Sequence, residues 1–414
     1  MKVIILAGGR GTRLWPLSQD FFPKQLLSFG DTYSLLQKTI LRFLPLYGAS
    51  SLLIVTSKEC EALVKKQCLE LSKTEKIPVL VEPCSKSTAP SLALAVRFLE
   101  EAGKLEEGEC ILSVPSDCLF SSDLPFLNTV AIGQDRAKKG EIVVFGVVPT
   151  RPETGYGYLC LGPSYREGFT VRQFVEKPSK IVAEQLVASK DVLWSIGHLL
   201  FSVDTFWQEM KIHCLEIASF QHSSFQECLE KIKEVPSISI DYALLEKSQR
   251  LVAFQVFSSW LDVGSWDSVY ESLEKDESGN VKRGPVFEEE SKNCLFLSEK
   301  RPFLAIGLED LLVVDTSEGL LLVKRGYSQK VKQPPLIDNA PSKVQRKTVF
   351  LGDRVSFEGR LVVLKGKAKV FLEKEEVLFL EENDTVLEEG FVENGGEELL
   401  EILEIKINKE PALC

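Results

Sequence analysis

Val3-Ile4-Ile5-Leu6-Ala7-Gly8-Gly9-Arg10-Gly11-Thr12-Arg13-Leu14-Trp15-Pro16-Leu17-Ser18, followed after four residues by Pro23-Lys24-Gln25, is the stretch on which the reading of this chain turns. A short apolar strand runs into a glycine cluster whose backbone N–H groups can approach phosphate oxygens without interference from Cβ atoms. Arg13 and Lys24 add two cations beside that loop. Such a cradle suits a nucleoside triphosphate, because phosphoryl and nucleotidyl transfer depend on positioning and on neutralising charge as it develops. The spacing lacks Gly-Lys-Ser/Thr and the third glycine of the dinucleotide fingerprint, so neither common glycine-rich motif applies. Glycines alone could equally make a tight strand-to-helix turn. The two cations favour the phosphate reading.

With 414 residues, 44% hydrophobic and 26% charged, the chain is long enough for two or three packed domains. A net charge of −11 gives no field to attract a nucleic acid or an anionic membrane. The apolar run Val3 to Ala7 is too short for a signal-peptide core, and no stretch approaches a membrane span. Ten cysteines without a CxxC pair read as thiols in a reducing compartment, so the expected location is cytoplasmic.

Up to about Pro149, β-rich runs (Val3 to Leu6, Leu52 to Thr56, Val79 to Glu82, Cys110 to Pro115, Ile142 to Val148) alternate with amphipathic ones (Leu35 to Phe43, Cys60 to Leu71, Ala89 to Ala102, Phe126 to Lys138). That alternation predicts an α/β fold with a mainly parallel sheet, and ligands beyond the carboxyl ends of its strands.

Chemistry-bearing motifs follow those ends. Glu82-Pro83-Cys84-Ser85-Lys86-Ser87-Thr88-Ala89-Pro90 joins a strand to a helix, where Ser87 or Thr88 can also serve as an N-cap. Pro115-Ser116-Asp117-Cys118 places a carboxylate where a buried strand meets solvent, suited to Mg²⁺ and equally to a turn cap. Then come Thr154-Gly155-Tyr156-Gly157-Tyr158, Val175-Glu176-Lys177-Pro178, Trp194-Ser195-Ile196-Gly197-His198, Ser239-Ile240-Asp241-Tyr242-Ala243 and Trp260-Leu261-Asp262-Val263-Gly264-Ser265-Trp266. Asp241 is placed to cap a helix, and His198, between apolar residues and without a nearby partner in the chain, reads as structural.

In order and spacing this set resembles the sugar-1-phosphate nucleotidyltransferases, with Trp15 and Pro23-Lys24-Gln25 similar to the mannose-1-phosphate guanylyltransferase branch. The resemblance implies a Rossmann-like nucleotidyltransferase domain over 1–275, and it carries roles for individual residues. Leu6, Ala7, Gly8, Gly9, Gly11, Thr12 and Arg13 would hold the nucleotide, with Glu82, Ser87 and Thr88 at its base. A carboxylate such as Glu82 can accept from the adjacent N1–H and N2–H₂ donors of guanine. Gly157, Glu176, Lys177, Gly197 and Asp241 would hold the sugar phosphate, and Asp117 and Asp262 the Mg²⁺ cofactor. Arg13, Lys24, Asp117 and Asp262 are the implied catalytic set. The chain departs from the pattern at Lys86 and Ser87, which bears on the base, at Cys118, beside the metal position, at Gln19, which favours an inactive homologue, and at Ser195, Ile196 and His198, which leaves the sugar open.

Beyond residue 275 the helical pattern stops. Residues 276–332 read as a β-rich module, a partial left-handed β-helix by the resemblance; 333–346, with three prolines, as a linker; and 347–414 as a small antiparallel domain resembling a degenerate cupin. From Leu351 onward there are 8 basic and 16 acidic side chains, so this segment carries −8 of the chain's −11. The expected reaction is GTP plus mannose 1-phosphate giving GDP-mannose and pyrophosphate. Alternatives are another hexose or heptose 1-phosphate, or an inactive regulatory homologue. The partners are small molecules, with no nucleic acid or membrane, and a homodimer is allowed.

Overall fold

The computed structural model describes residues 1–9, 12–18, 22–29, 31–72, 75–106, 108–165 and 167–331, and, further on, 343–349, 354–357, 360–365, 367–372, 377–381, 385–387, 390–394 and 400–406. It forms two compact units, Met1–Gln333 and Pro334–Cys414.

The first unit runs β1 (Lys2–Leu6), α1 (Leu35–Tyr47), β2 (Leu52–Ser57), α2 (Glu61–Leu71), β3 (Val79–Glu82), α3 (Thr88–Glu101), β4 (Cys110–Pro115), β5 (Cys118–Phe120), α4 (Asp123–Ala137) and β6 (Ile142–Val147). It continues with β7 (Gly157–Tyr165), β8 (Gly168–Glu176), α5 (Lys180–Ser189), β9 (Val192–Ser202), α6 (Val203–His213), α7 (Leu215–Ala218), α8 (Phe225–Lys231), β10 (Leu251–Gln255), β11 (Trp260–Asp262) and α9 (Trp266–Ser272). Nine strands form one sheet in the order β3-β2-β1-β4-β9-β6-β10-β8-β7. Successive side chains of β1 enter opposite layers: Val3 and Ile5 pack beneath α1 and α2, and Ile4 beneath α3. Each is fully buried, as a central strand covered on both faces requires.

The sheet is less parallel than the alternation predicts. Pairing is parallel through β3-β2-β1-β4 and again at β6–β10. The β7–β8 hairpin reverses the chain before α5, so β9 enters antiparallel to both β4 and β6. β7 also pairs back onto β9, with Tyr158 opposite Trp194, and this half of the sheet closes on itself.

β5 and β11 lie outside the main sheet as a two-stranded antiparallel ribbon, in which Cys118 pairs with Asp262. After α9 the chain coils through β12 (Val281–Arg283), β13 (Val286–Glu289), β14 (Leu295–Ser298), β15 (Phe303–Ile306), β16 (Leu311–Thr316) and β17 (Gly319–Lys324). β12, β14 and β16 stack in parallel, β13 stacks on β15, and β17 turns back antiparallel on β16. Leu14, Leu27, Phe29 and Trp266 share a core with Val281, Leu295, Leu312 and Val314 of this module. The β-rich segment is thus packed into the first unit rather than set apart from it.

In the second unit, β18 (Lys343–Val349), β19 (Arg354–Phe357), β20 (Arg360–Lys365), β21 (Ala368–Leu372), β22 (Val377–Leu380), β23 (Thr385–Leu387), β24 (Gly390–Asn394) and β25 (Leu400–Lys406) form two four-stranded antiparallel sheets, β18-β25-β20-β23 and β19-β24-β21-β22. β18 begins inside the segment read as a linker, because Lys343 to Val349 finds a full-length partner in β25. The rest of that segment, 333–342, lies outside the described residues. Ala368, Val370, Val392 and Leu400 are buried.

Candidate active site

The glycine loop leaves β1, an interior strand of the sheet, and is fastened to its neighbours. Ala7 N donates to Val55 O (2.8 Å), while the Ala7 carbonyl accepts from Thr56 Oγ1 (3.1 Å) and from Gln25 Nε2 (2.9 Å). Gln25 Nε2 also donates to Gly9 O at 3.0 Å, and Gln25 is 1% exposed. The buried amide spends its donors on two loop carbonyls and so pins the start of the loop. The Leu6 carbonyl accepts from Ser116 N (3.2 Å), bringing the loop beside Asp117. Gly11 and the side chain of Thr12 lie outside the described residues, as does Gln19.

Lys24 opens a single 3₁₀ turn, Lys24–Leu26, and its ammonium lies 2.9 Å from Asp117 Oδ2 and 3.3 Å from Asp262 Oδ1. The two aspartates, distant in sequence, meet because β5 pairs with β11 and Val263 N donates to Asp117 O across the same ribbon (3.4 Å). Burial works against the charge on Lys24, but the two carboxylates outweigh it and hold the ammonium well above its ordinary value. Burial raises the Asp262 carboxyl, and Lys24 opposes that rise. Two carboxylates converging on one cation are a donor set that fits Mg²⁺, which takes one or two carboxylates and completes its shell with water and substrate phosphate. Among the described residues no group of three His, Cys, Asp or Glu side chains could cage a metal.

Arg13 is exposed on the Thr12–Leu14 turn, and its charge is felt by Asp262. Its Nη1 donates to Gln329 Oε1 at 2.9 Å.

At the other side of the loop Glu82 closes β3, 5% exposed. Its Oε2 would lie 3.5 Å from a Cβ added to Gly8, so carboxylate and glycine face one another. Burial pushes this carboxyl up to about 7, against the Ser91 hydroxyl that donates to Oε1. Ser87 occupies the N-cap position of α3 but makes no capping bond, and its φ of 69° is in the left-handed region that a serine rarely adopts. Thr88 Oγ1 accepts instead from Ile240 N (2.8 Å), tying the Glu82 segment to the one that carries Asp241. Neither residue caps the helix as its sequence position suggests.

Gly157 pairs directly with Glu176 across β7 and β8, and a Cβ at residue 157 would come within 2.7 Å of Glu176 Oε2. A side chain there would also meet the Phe174 ring at 2.7 Å. Glu176 Oε1 holds the Lys177 ammonium at 2.8 Å, and Lys177, with φ 45°, is a second residue of the site in the left-handed region. Burial raises both Glu176 and Asp241, each further raised by a neighbouring carboxylate and eased by Lys177. Asp241 opens a short π-helical segment without capping it; the Ser239 hydroxyl accepts from Tyr242 N (3.5 Å) in its stead. Gly197 sits over Pro115, two residues before Asp117, at φ 73°.

These clusters form one continuous rim. Tyr156 joins the Asp262 end to the Glu176–Lys177 cluster: Lys177 N donates to Tyr156 O (3.1 Å), and burial followed by Asp262 pushes the phenol up to about 12. His198 stays out of the rim. It is fully buried, its Nδ1 is 2.8 Å from Ile196 O, and Phe126 packs edge-on against its ring. Burial lowers it to about 3, so it is neutral and structural. It does have a partner that the chain order hides, Cys118 Sγ at 4.0 Å. Two clefts of about 570 and 520 Å³ flank β11 on either side of Trp260, and neither is lined by Gly8, Lys24 or Glu82. Gln25, Ser91, Tyr156 and Gln329 are contributors to which the sequence reading gave no role; Gln25 and Tyr156 stand within its motifs, while Ser91 and Gln329 carried no signal.

Residues 2–279 match the family model described as nucleotidyl transferase, and residues 286–334 that of a MannoseP isomerase/GMP-like beta-helix domain. A mannose-1-phosphate guanylyltransferase of Salmonella montevideo is 31% identical, with 97% of this chain and 95% of that one covered. The alginate biosynthesis protein AlgA of Pseudomonas aeruginosa is 35% identical over 80% of this chain and 71% of its own length. A solved structure from Thermus thermophilus, named a mannose-1-phosphate geranyltransferase, superposes with a TM-score of 0.72 at 28% identity, covering 80% of this chain and 96% of that one. Among the described residues no helix is long and apolar enough to cross a membrane.

Proposed function

Because the chain belongs to the nucleotidyl transferase family, among relatives named mannose-1-phosphate guanylyltransferase, we propose that it joins GTP to mannose 1-phosphate, releasing pyrophosphate and forming GDP-mannose. The observation that carries this reading is the Lys24 ammonium held between Asp117 and Asp262 at the foot of a glycine loop.

An oxygen of the sugar phosphate attacks the α-phosphorus of GTP in line. The new P–O bond forms as the bond to the α–β bridging oxygen breaks, and pyrophosphate leaves. No general base is needed, since the attacking phosphate is already ionised near neutral pH. Arg13 takes the β and γ phosphates, and Lys24, kept charged by its two carboxylates, faces the charge that builds on the α-phosphate. Glu82 accepts from the guanine edge beside Gly8, with the turn at Ser87 and Thr88 bounding the base. Lys177 orients the nucleophile, Glu176 and Asp241 accept from sugar hydroxyls, and the bare backbone at Gly157 and Gly197 lets the hexose lie close. Asp117 and Asp262 would hold Mg²⁺, which supplies charge neutralisation along the phosphates when bound.

A pyrophosphate-release assay crossing sugar 1-phosphates, a heptose among them, with GTP, ATP, UTP and dTTP tests the assignment. The highest kcat/KM belongs to GTP with mannose 1-phosphate; a different best pair would replace it.

The second unit is read as a cupin-like remnant with a structural role. All three histidines, His198, His213 and His222, precede it, so a zinc site of the usual His and carboxylate kind has no imidazole to draw on. The full-length protein should not interconvert fructose 6-phosphate and mannose 6-phosphate with or without Zn²⁺. Isomerisation abolished by deleting 345–414 would overturn that reading.

A further inference from the structure

We infer that the β-helix module is a working wall of the active site, and that its Gln329 is a positioning residue that aims Arg13 at the terminal phosphates of the nucleotide. The inference rests on the reading that Arg13 binds those phosphates.

An exposed arginine on a short turn is free to sample many rotamers, and an unaimed guanidinium binds phosphate less well than one held in place. Arg13 is held. Its Nη1 donates to Gln329 Oε1 at 2.9 Å, from the opposite end of the first unit's sequence. A neutral amide takes one of the five guanidinium N–H groups and leaves the full charge and the remaining donors for phosphate oxygens. A carboxylate there would pair with Arg13 by charge and compete with the ligand.

Gln329 can do this only if its own turn is fixed, and it is. In the Ser328–Lys330 turn, Ser328 is fully buried. Its hydroxyl donates to Asp267 Oδ2 and accepts from Asp267 N at 3.0 Å, while Asp267 Oδ1 accepts from Gly326 N at 2.8 Å. The neighbouring Trp266 donates from Nε1 to Trp15 O at 2.8 Å, two residues past Arg13. The Trp15 indole in turn lies across Gly319 of β17, where a Cβ would meet its Cζ2 at 2.7 Å. The segment from Asp262 to Asp267 therefore carries a phosphate-end carboxylate at one end, and at the other clamps both the arginine turn and the last turn of the module.

The test is GTP binding by titration calorimetry together with steady-state kinetics on full-length Gln329→Ala, Gln329→Glu, Arg13→Ala and the Arg13→Ala/Gln329→Ala pair. Gln329 is exposed, so these variants keep their fold. Gln329→Ala should weaken GTP binding and raise its KM by about three- to tenfold, with kcat and the KM for mannose 1-phosphate nearly unchanged. Gln329→Glu should weaken GTP further, the excess fading with added salt. In the Arg13→Ala background, Gln329→Ala should change nothing more. Unchanged GTP affinity in Gln329→Ala, or an equal loss with and without Arg13, overturns the inference. Wild-type protein that binds GTP without transferring it would instead count against the proposed reaction, and the binding data would still judge Gln329.

Discussion

Carboxylates stand at two ends of the same rim and are treated in opposite ways. At the end proposed for the phosphates Asp117 and Asp262 converge on the Lys24 ammonium, so that negative charge is gathered and compensated. At the end proposed for the base, Glu82 is buried facing Gly8, with the Ser91 hydroxyl donating to it, and burial lifts it to about 7. Both ends follow from the same α/β edge; the difference lies in which neighbours the chain brings in. Burial holds back the charged form of the Glu82 carboxyl, and donors arriving at its oxygens would favour that form.

The comparison breaks first at its charged end. Asp117→Ala or Asp262→Ala should lower kcat by about 10² to 10³ in Mg²⁺, the usual cost of losing one charge-stabilising contact, with the fold intact by circular dichroism. Full activity in either variant would remove those carboxylates from the chemistry. Next comes the base end. Glu82→Gln should erode the preference for GTP over ATP by about 5- to 150-fold, the cost of roughly 1 to 3 kcal/mol for a buried carboxylate that faces a lone pair instead of a donor. Equal preference in variant and wild type would show that Glu82 does not read the base.

The smallest effect sharpens the contrast. A carboxyl near 7 is ionised above that pH and protonated below it, and guanine requires the ionised form. The KM for GTP should therefore rise as pH falls, by about tenfold between pH 8 and pH 6 for a group titrating near 7. The Glu82→Gln variant, carrying only the titration of GTP itself, should lack that component. Parallel profiles for the two proteins would assign the pH dependence elsewhere.

Much of this was readable from residue order. The strands from Val3, Leu52, Val79, Cys110 and Ile142 and the helices between them emerge from apolar periodicity, because each buries one face or both against the next layer. The residues proposed as catalytic could be named from the sequence, but their contact could not. Nothing in the sequence pairs Cys118 with Asp262; that register belongs to a two-stranded ribbon whose strands, three residues each, are too short to show a period. The same holds for Cys118 against His198 and for Arg13 against Gln329, where long-range packing puts ordinary surface or core residues together. Caps misled as well. Ser87 and Asp241 have the right residue type at a helix start, yet tertiary contacts from Thr88 to Ile240 and strain at Ser87 override the local preference.

The account turns most directly on a single-turnover reaction of GTP labelled at the α-phosphate with mannose 1-phosphate on wild-type protein in Mg²⁺. It predicts that the label passes to GDP-mannose with one pyrophosphate released per product and none retained on the protein. Label remaining in GTP while both substrates are bound, or trapped covalently on the chain, would contradict it.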